Sequence, residues 1–182
     1  GDFAGRMLWL HRLFKSCGIG KGSKIALAGK NCSSWASVWL STITYGGTIV
    51  PILAAFSPED TQHIVHHSDA ELLFISRDKY DSIDPDSLKG VKYIFALENF
   101  SLLYNHVDSK KELIPPLESS PEFLNLSPEK LQIEDCCSNE DIAAIIYTSG
   151  TTGFSKGVML PHRSLLANLI VARENLLFHV GA

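Results

Sequence analysis

Lys24-Ile25-Ala26-Leu27-Ala28-Gly29-Lys30-Asn31-Cys32-Ser33-Ser34-Trp35-Ala36-Ser37-Val38-Trp39-Leu40-Ser41-Thr42-Ile43-Thr44-Tyr45-Gly46-Gly47-Thr48-Ile49-Val50-Pro51-Ile52-Leu53 is the stretch on which the fold turns. Lys24 to Ala28 is a short apolar run and reads as a buried strand. Asn31 to Ser34 then offer N-cap side chains, whose oxygens accept the unpaired N–H groups of a helix's first turn. In the helix that follows, Trp35, Val38, Trp39, Thr42 and Ile43 fall on one face. Gly46-Gly47 closes it, and Thr48 to Leu53 is the next strand. From Asn31 to Pro58 there is no Asp, Glu, Lys, Arg or His, a length that would by itself permit a membrane span. Ser33, Ser34, Ser37, Ser41, Thr42, Thr44 and Thr48 run through it, and Gly46-Gly47 and Pro51 interrupt it. A buried helix, a turn and a buried strand are expected instead, with no integral membrane segment.

The same alternation extends in both directions. Upstream, Phe3, Met7, Leu10, Phe14 and Cys17 recur at helical spacing, and Gly18 and Gly20 end that helix because glycine accepts the left-handed C-cap conformation. Downstream, Ser57-Pro58-Glu59-Asp60 combines a cap, a first-turn proline and two acids at the positive helix end. This helix is expected to run to about Ser68. Leu72 to Ile75 and Tyr93 to Leu97 are further strands. Asp108 to Asp135, with Pro115, Pro116, Pro121 and Pro128, reads as a surface excursion with one or two short helices. Ala143 to Tyr147 and Gly157 to Leu160 are strands again. Pro161 to Ser164 opens a last helix, expected to turn Leu166, Leu169, Ile170, Leu176 and Leu177 inward. Helices alternating with short apolar strands predict an α/β fold, a largely parallel sheet with flanking helices.

Composition narrows the function. The 182 residues suffice for one domain with a sizeable core, and a net charge of −4 with scattered Lys and Arg argues against a nucleic-acid or membrane-surface binder. The apolar fraction of 45% and charged fraction of 20% are those of an ordinary globular protein. Cys17, Cys32, Cys136 and Cys137 form no Cys-x-x-Cys pair, so they read as reduced thiols of a cytoplasmic protein rather than zinc ligands. His63, His66 and His67 read as helix-surface histidines, Trp35 and Trp39 as core, and Glu134-Asp135 and Glu140-Asp141 as solvated loop charges. No metal-binding residue is assigned.

The chemistry lies in Tyr147-Thr148-Ser149-Gly150-Thr151-Thr152-Gly153-Phe154-Ser155-Lys156-Gly157. A buried strand delivers a loop of small hydroxyl residues, glycines and one lysine. Successive backbone N–H groups of such a loop can form an anion-binding nest, and glycine lets the backbone approach a ligand closely. Hydroxyls add donors to phosphate oxygens, and Lys156 adds positive charge. The run is not the P-loop pattern, since Ser155 stands where its second glycine belongs, and Gly18-x-Gly20 fails the dinucleotide pattern because Ser23 takes the third glycine's place. On composition alone, a phosphate-binding loop and a plain flexible turn both fit.

Tyr147 through Gly153 and Lys156 through Val158 resemble the signature of adenylate-forming enzymes, Tyr-Thr-Ser-Gly-Thr-Thr-Gly-x-Pro-Lys-Gly-Val, and Pro161-His162-Arg163-Ser164-Leu165 resembles the helix start that follows it. The likeness extends upstream through Gly18 to Ala26, Asn31 with Trp35, Gly46-Gly47 leading to Val50-Pro51, and His67-Ser68-Asp69-Ala70. Nearly the whole chain, 1–182, thus resembles the first part of the large N-terminal domain of the family, and most of all its bacterial long-chain fatty-acid–CoA ligases. Ser155 departs from the family's proline, which leaves the aim of Lys156 less constrained. The resemblance implies activation of a carboxylic acid by ATP to an acyl-adenylate, then thioester formation with coenzyme A. It implies that Thr148, Ser149, Gly150, Thr151, Thr152 and Gly153 hold the β- and γ-phosphates. Lys156 would be the catalytic lysine and electrostatic partner of the triphosphate, with Mg2+ bridging phosphate oxygens. The remaining family elements lie farther along its chains, so the chain alone is expected to be inactive. An amino-acid or aryl-acid adenylation domain and a non-catalytic nucleotide-binding module are the competing readings.

Overall fold

In the computed structural model, Ile25 and Leu27 enter one hydrophobic core and Ala26 and Ala28 another, although all four belong to β1 (Lys24–Ala28). Successive strand residues point to opposite faces, so a strand apolar at every position must be covered on both. The structure describes residues 2–107, 113–120, 123, 137–148 and 156–177.

On one face, Ile25, Leu27, Leu72, Phe74, Tyr93 and Phe95 pack against Leu10, Leu13 and Phe14 of α1 (Asp2–Ser16) and Val38 of α2 (Ser33–Thr44). On the other, Ala26, Val50, Ile52, Leu73 and Ile75 pack against Ile64 and Val65 of α3 (Pro58–His67). The strands are β2 (Thr48–Ile52), β3 (Leu72–Ile75), β4 (Tyr93–Ala96), β5 (Leu102–Asn105), β6 (Ile142–Thr148) and β7 (Lys156–Pro161). A short α4 (Arg77–Tyr80) follows β3, and α5 (His162–Leu177) follows β7. The sheet order is β5-β4-β3-β1-β2-β6-β7. β1 to β4 and β6 pair in parallel, while β5 and β7 run antiparallel at the two edges. This is the expected α/β architecture with a largely parallel sheet.

The caps of α3 and α1 form as the sequence predicts, while α2 is capped by a sulfur, Cys32 Sγ accepting the Trp35 N–H at 3.4 Å. Ser57 Oγ accepts the Asp60 N–H at 3.1 Å with Pro58 in the first turn. Gly18 closes α1 at φ +71°, the left-handed region open to glycine. The facing of α2 differs from expectation. Its buried residues are Ser34, Ser37, Val38, Ser41 and Thr42, and Trp35, Trp39 and Ile43 are only half-buried. The two indoles stack on each other at 5.0 Å on the flank of the core. Two of the buried hydroxyls bond back along the helix: Ser37 Oγ donates to Ser33 O and Thr42 Oγ1 to Val38 O, both at 2.8 Å. A second departure is α5, where Leu166, Leu169 and Ile170 are exposed rather than inward-facing. Among the described residues, the helix meets the sheet chiefly through β6 and β7. Within the expected surface excursion, the described residues include one short 3-10 turn, Leu117–Ser119.

Candidate functional site

β6 sits between β2 and β7, and its two ends differ. At its start, Thr48 Oγ1 of β2 donates to Ile142 O at 2.7 Å, and Ile49 is in register with Ala144. The β6–β7 register shifts between Ile142 and Ala144, a bulge that turns Ile142, Ile145 and Tyr147 all toward the α3 face. At its carboxyl end, Thr148 pairs with Lys156, the first residue of β7. A directly opposed antiparallel pair shares one face of the sheet, and both residues are exposed. Thr148 and Lys156, the residues on either side of 149–155 in the chain, therefore stand opposite each other at the mouth of the β6–β7 pair. That mouth opens at the carboxyl edge of the parallel strands, where open α/β sheets bind their ligands. Ser149, Gly150, Thr151, Thr152, Gly153 and Ser155 lie outside the described residues.

One residue inward, Tyr147 pairs with Gly157. The tyrosine is only 4% exposed. A Cβ on residue 157 would lie 3.0 Å from Ile145 Cγ2 and 3.1 Å from Tyr147 Cζ, so the glycine makes room for the ring. The phenol hydrogen-bonds His67 Nδ1 at 2.7 Å, and the two rings meet edge to face, 88° apart with centroids separated by 5.7 Å. Burial pushes the Tyr147 phenol pKa up, and the Asp69 carboxylate adds to the rise, so the hydroxyl stays protonated at neutral pH. His67 is exposed on the helix surface, as the sequence reading has it with His63 and His66, but its bond to Tyr147 lies outside that reading. A contact spanning 80 residues has no local sequence signature.

The other candidates lie away from this end. Asp141 pairs with Lys21 at 2.7 Å and accepts the Ser138 N–H. Its pKa is lowered by the Lys21 hydrogen bond first, and then by the Ser138 backbone. Glu140 pairs with Arg163. His162 donates its backbone N–H to Asp141 O, at the opposite end of β6 from the loop. A cavity of about 230 Å³ also opens there, lined by Lys21, Lys24, Thr48, Ile142, Ile145 and Met159 among others. Its walls are mostly apolar and include no residue of the loop's mouth. Glu134, Asp135 and Cys136 lie outside the described residues, and Cys17, Cys32 and Cys137 form no disulfide.

The family model for AMP-binding enzymes matches residues 6–180. The chain is 31% identical over 174 residues to a long-chain-fatty-acid–CoA ligase of Rattus norvegicus, covering 90% of this chain and 25% of that one. It is 29% identical over 153 residues to a crotonobetaine/carnitine–CoA ligase of Proteus mirabilis, covering 84% of this chain and 28% of the relative. Among solved structures, apo MatB from Rhodopseudomonas palustris superposes with a TM-score of 0.67 at 21% identity, over 91% of this chain and 30% of MatB. The chain thus spans about a quarter of the length of the curated relatives it matches.

Proposed function

The chain belongs to the AMP-binding enzyme family, and on that premise we propose that the protein carrying it activates a carboxylic acid with ATP and transfers the acyl group to coenzyme A. The observation that carries this reading is the pairing of Thr148 with Lys156 at the carboxyl edge of the sheet. It holds a hydroxyl donor and a cation at the two feet of residues 149–155. In this proposal Thr148, Ser149, Gly150, Thr151, Thr152 and Gly153 hold the β- and γ-phosphates, and Lys156 stabilises the charge that grows on the departing pyrophosphate. Mg2+, entering with ATP, would spread that charge over the phosphate oxygens. Residues 1–182 would form the first part of the large domain, inactive alone, in a cytoplasmic enzyme. Among the described residues, no helix is long and apolar enough to cross a membrane.

A long-chain fatty acid is the proposed substrate, supported by the signature resemblance and by the rat ligase. The carnitine ligase among the relatives keeps a smaller polar acid as the alternative. ATP–pyrophosphate exchange with fatty, aryl and amino acids tests both levels. Exchange with fatty acids should fall about 100-fold in Lys156→Ala, with an unchanged melting temperature because the side chain is exposed. Exchange driven only by amino or aryl acids would replace the substrate class. No exchange with any acid, in a folded protein that binds ATP, would leave a nucleotide-binding module.

A further inference from the structure

We infer that His67 is a positioning residue for the phosphate loop, acting through Tyr147. The inference rests on the phosphate-binding role proposed above. Tyr147 is buried, and its one side-chain polar atom must be satisfied inside the protein. His67 Nδ1 supplies the partner at 2.7 Å. The histidine stands on a fixed base: Ile64 and Val65, in the same turns of α3, are buried in the second core, and the Ser68 N–H closes the helix on Ile64 O. The tyrosine is joined to both feet of the loop, by its own peptide bond to Thr148 and across the ladder to Gly157, which follows Lys156. Gly157 has no room for a side chain beside the Tyr147 ring, since a Cβ there would lie 3.1 Å from Tyr147 Cζ. One side-chain contact from α3 therefore sets the end of β6 and the start of β7 together. Its loss would let Thr148 and Lys156 shift relative to the triphosphate, while leaving the acid's binding alone.

The test is steady-state exchange kinetics on the full protein. His67→Ala should raise the KM for MgATP roughly three- to tenfold, the worth of one hydrogen bond. The KM for the acid and kcat should stay near wild type, the pattern of lost binding that is uniform between ground and transition states. Tyr147→Phe should do the same, and the double variant no more than either single one. His67→Gln, whose amide can reach the phenol, should return the KM to within about twofold of wild type. An unchanged MgATP KM in a folded His67→Ala would overturn the inference. So would multiplying effects in the double variant, or equal rises in every KM with a fall in melting temperature. Wild-type protein that shows no acid-dependent exchange would instead remove the proposed function, and the inference with it.

Discussion

The half of the sheet built on β1, β3 and β4 and the half built on β6 and β7 have opposite characters. In the first, every strand position but Lys24 is buried, and helices cover both faces. In the second, β7 is exposed along most of its length, and Val158, Met159, Leu166, Leu169 and Ile170 face outward. The proposed phosphate loop follows β6 in this second half, and the Tyr147–His67 contact ties the residue before its first foot to α3. Packing and the proposed chemistry are thus separated along the sheet. The first half behaves as a scaffold and the second as a surface.

Matched truncations give the largest expected effect. Phe74 is fully buried, stacked on Phe95 at 5.2 Å and edge-on to Phe14 and Phe100. Phe74→Ala should lower unfolding stability by about 3–5 kcal/mol in urea titration. Leu169→Ala, at a residue 64% exposed, should change it by less than about 0.5 kcal/mol. A cost at Leu169 approaching that at Phe74 would break the comparison, because it would mean that segments outside the described residues bury α5.

This asymmetry also marks where the sequence could be read. The strands β3 and β4 are apolar throughout and β1 is apolar after Lys24, and the Ser57 cap and Gly18 stop use local chemistry, so apolar runs and punctuation suffice to locate them. The facing of α2 differs from the expectation because size outweighs hydrophobicity: the small Ser37 and Ser41 are fully buried, and the larger Trp35 and Trp39 only half so. β5 was missed because a four-residue edge strand with an exposed Leu102 carries no buried run. For α5, an apolar stripe announces that a face wants cover but not that cover is present. At the candidate site, residues 149–155 lie outside the described residues, and the two feet on either side of them were legible by strand pattern. His67 was not, since nothing along the chain links it to Tyr147.

A glycine prediction sharpens the boundary between the halves. Gly157→Ala places a methyl 3.0 Å from Ile145 Cγ2 and 3.3 Å from the Tyr147 hydroxyl. Side chains rather than backbone must give way, so the expected cost is about 1 kcal/mol, measured as a lowered urea midpoint. Because the ring that shifts is the one bonded to His67, the MgATP KM should rise as well. A stability loss of that size with an unmoved KM would show that the tyrosine can yield without disturbing the loop's feet, and would place the functional surface at Thr148 and beyond.

The smallest effect comes from the scaffold half and depends on pH. His11 of α1 lies between the helices, with Nε2 3.0 Å from Ser41 O and 3.1 Å from Thr44 Oγ1. Burial lowers its pKa below the ordinary 6.5, and the hydrogen bond to Ser41 opposes this only in part. The unfolded chain then binds the proton more readily than the folded one, so stability rises with pH through this window. The contribution is complete above the unfolded value and drains away as pH falls through about 6.5 toward the lower folded value. Melting temperature should therefore drop between about pH 7.5 and 5.5, and His11→Gln should flatten part of that slope. Exchange activity per folded molecule should keep the same pH profile in the variant, because His11 packs on α2 and touches neither foot of the loop. A changed activity profile with an unchanged melting slope would tie the α1–α2 interface to the site and undo the division of the sheet into scaffold and surface.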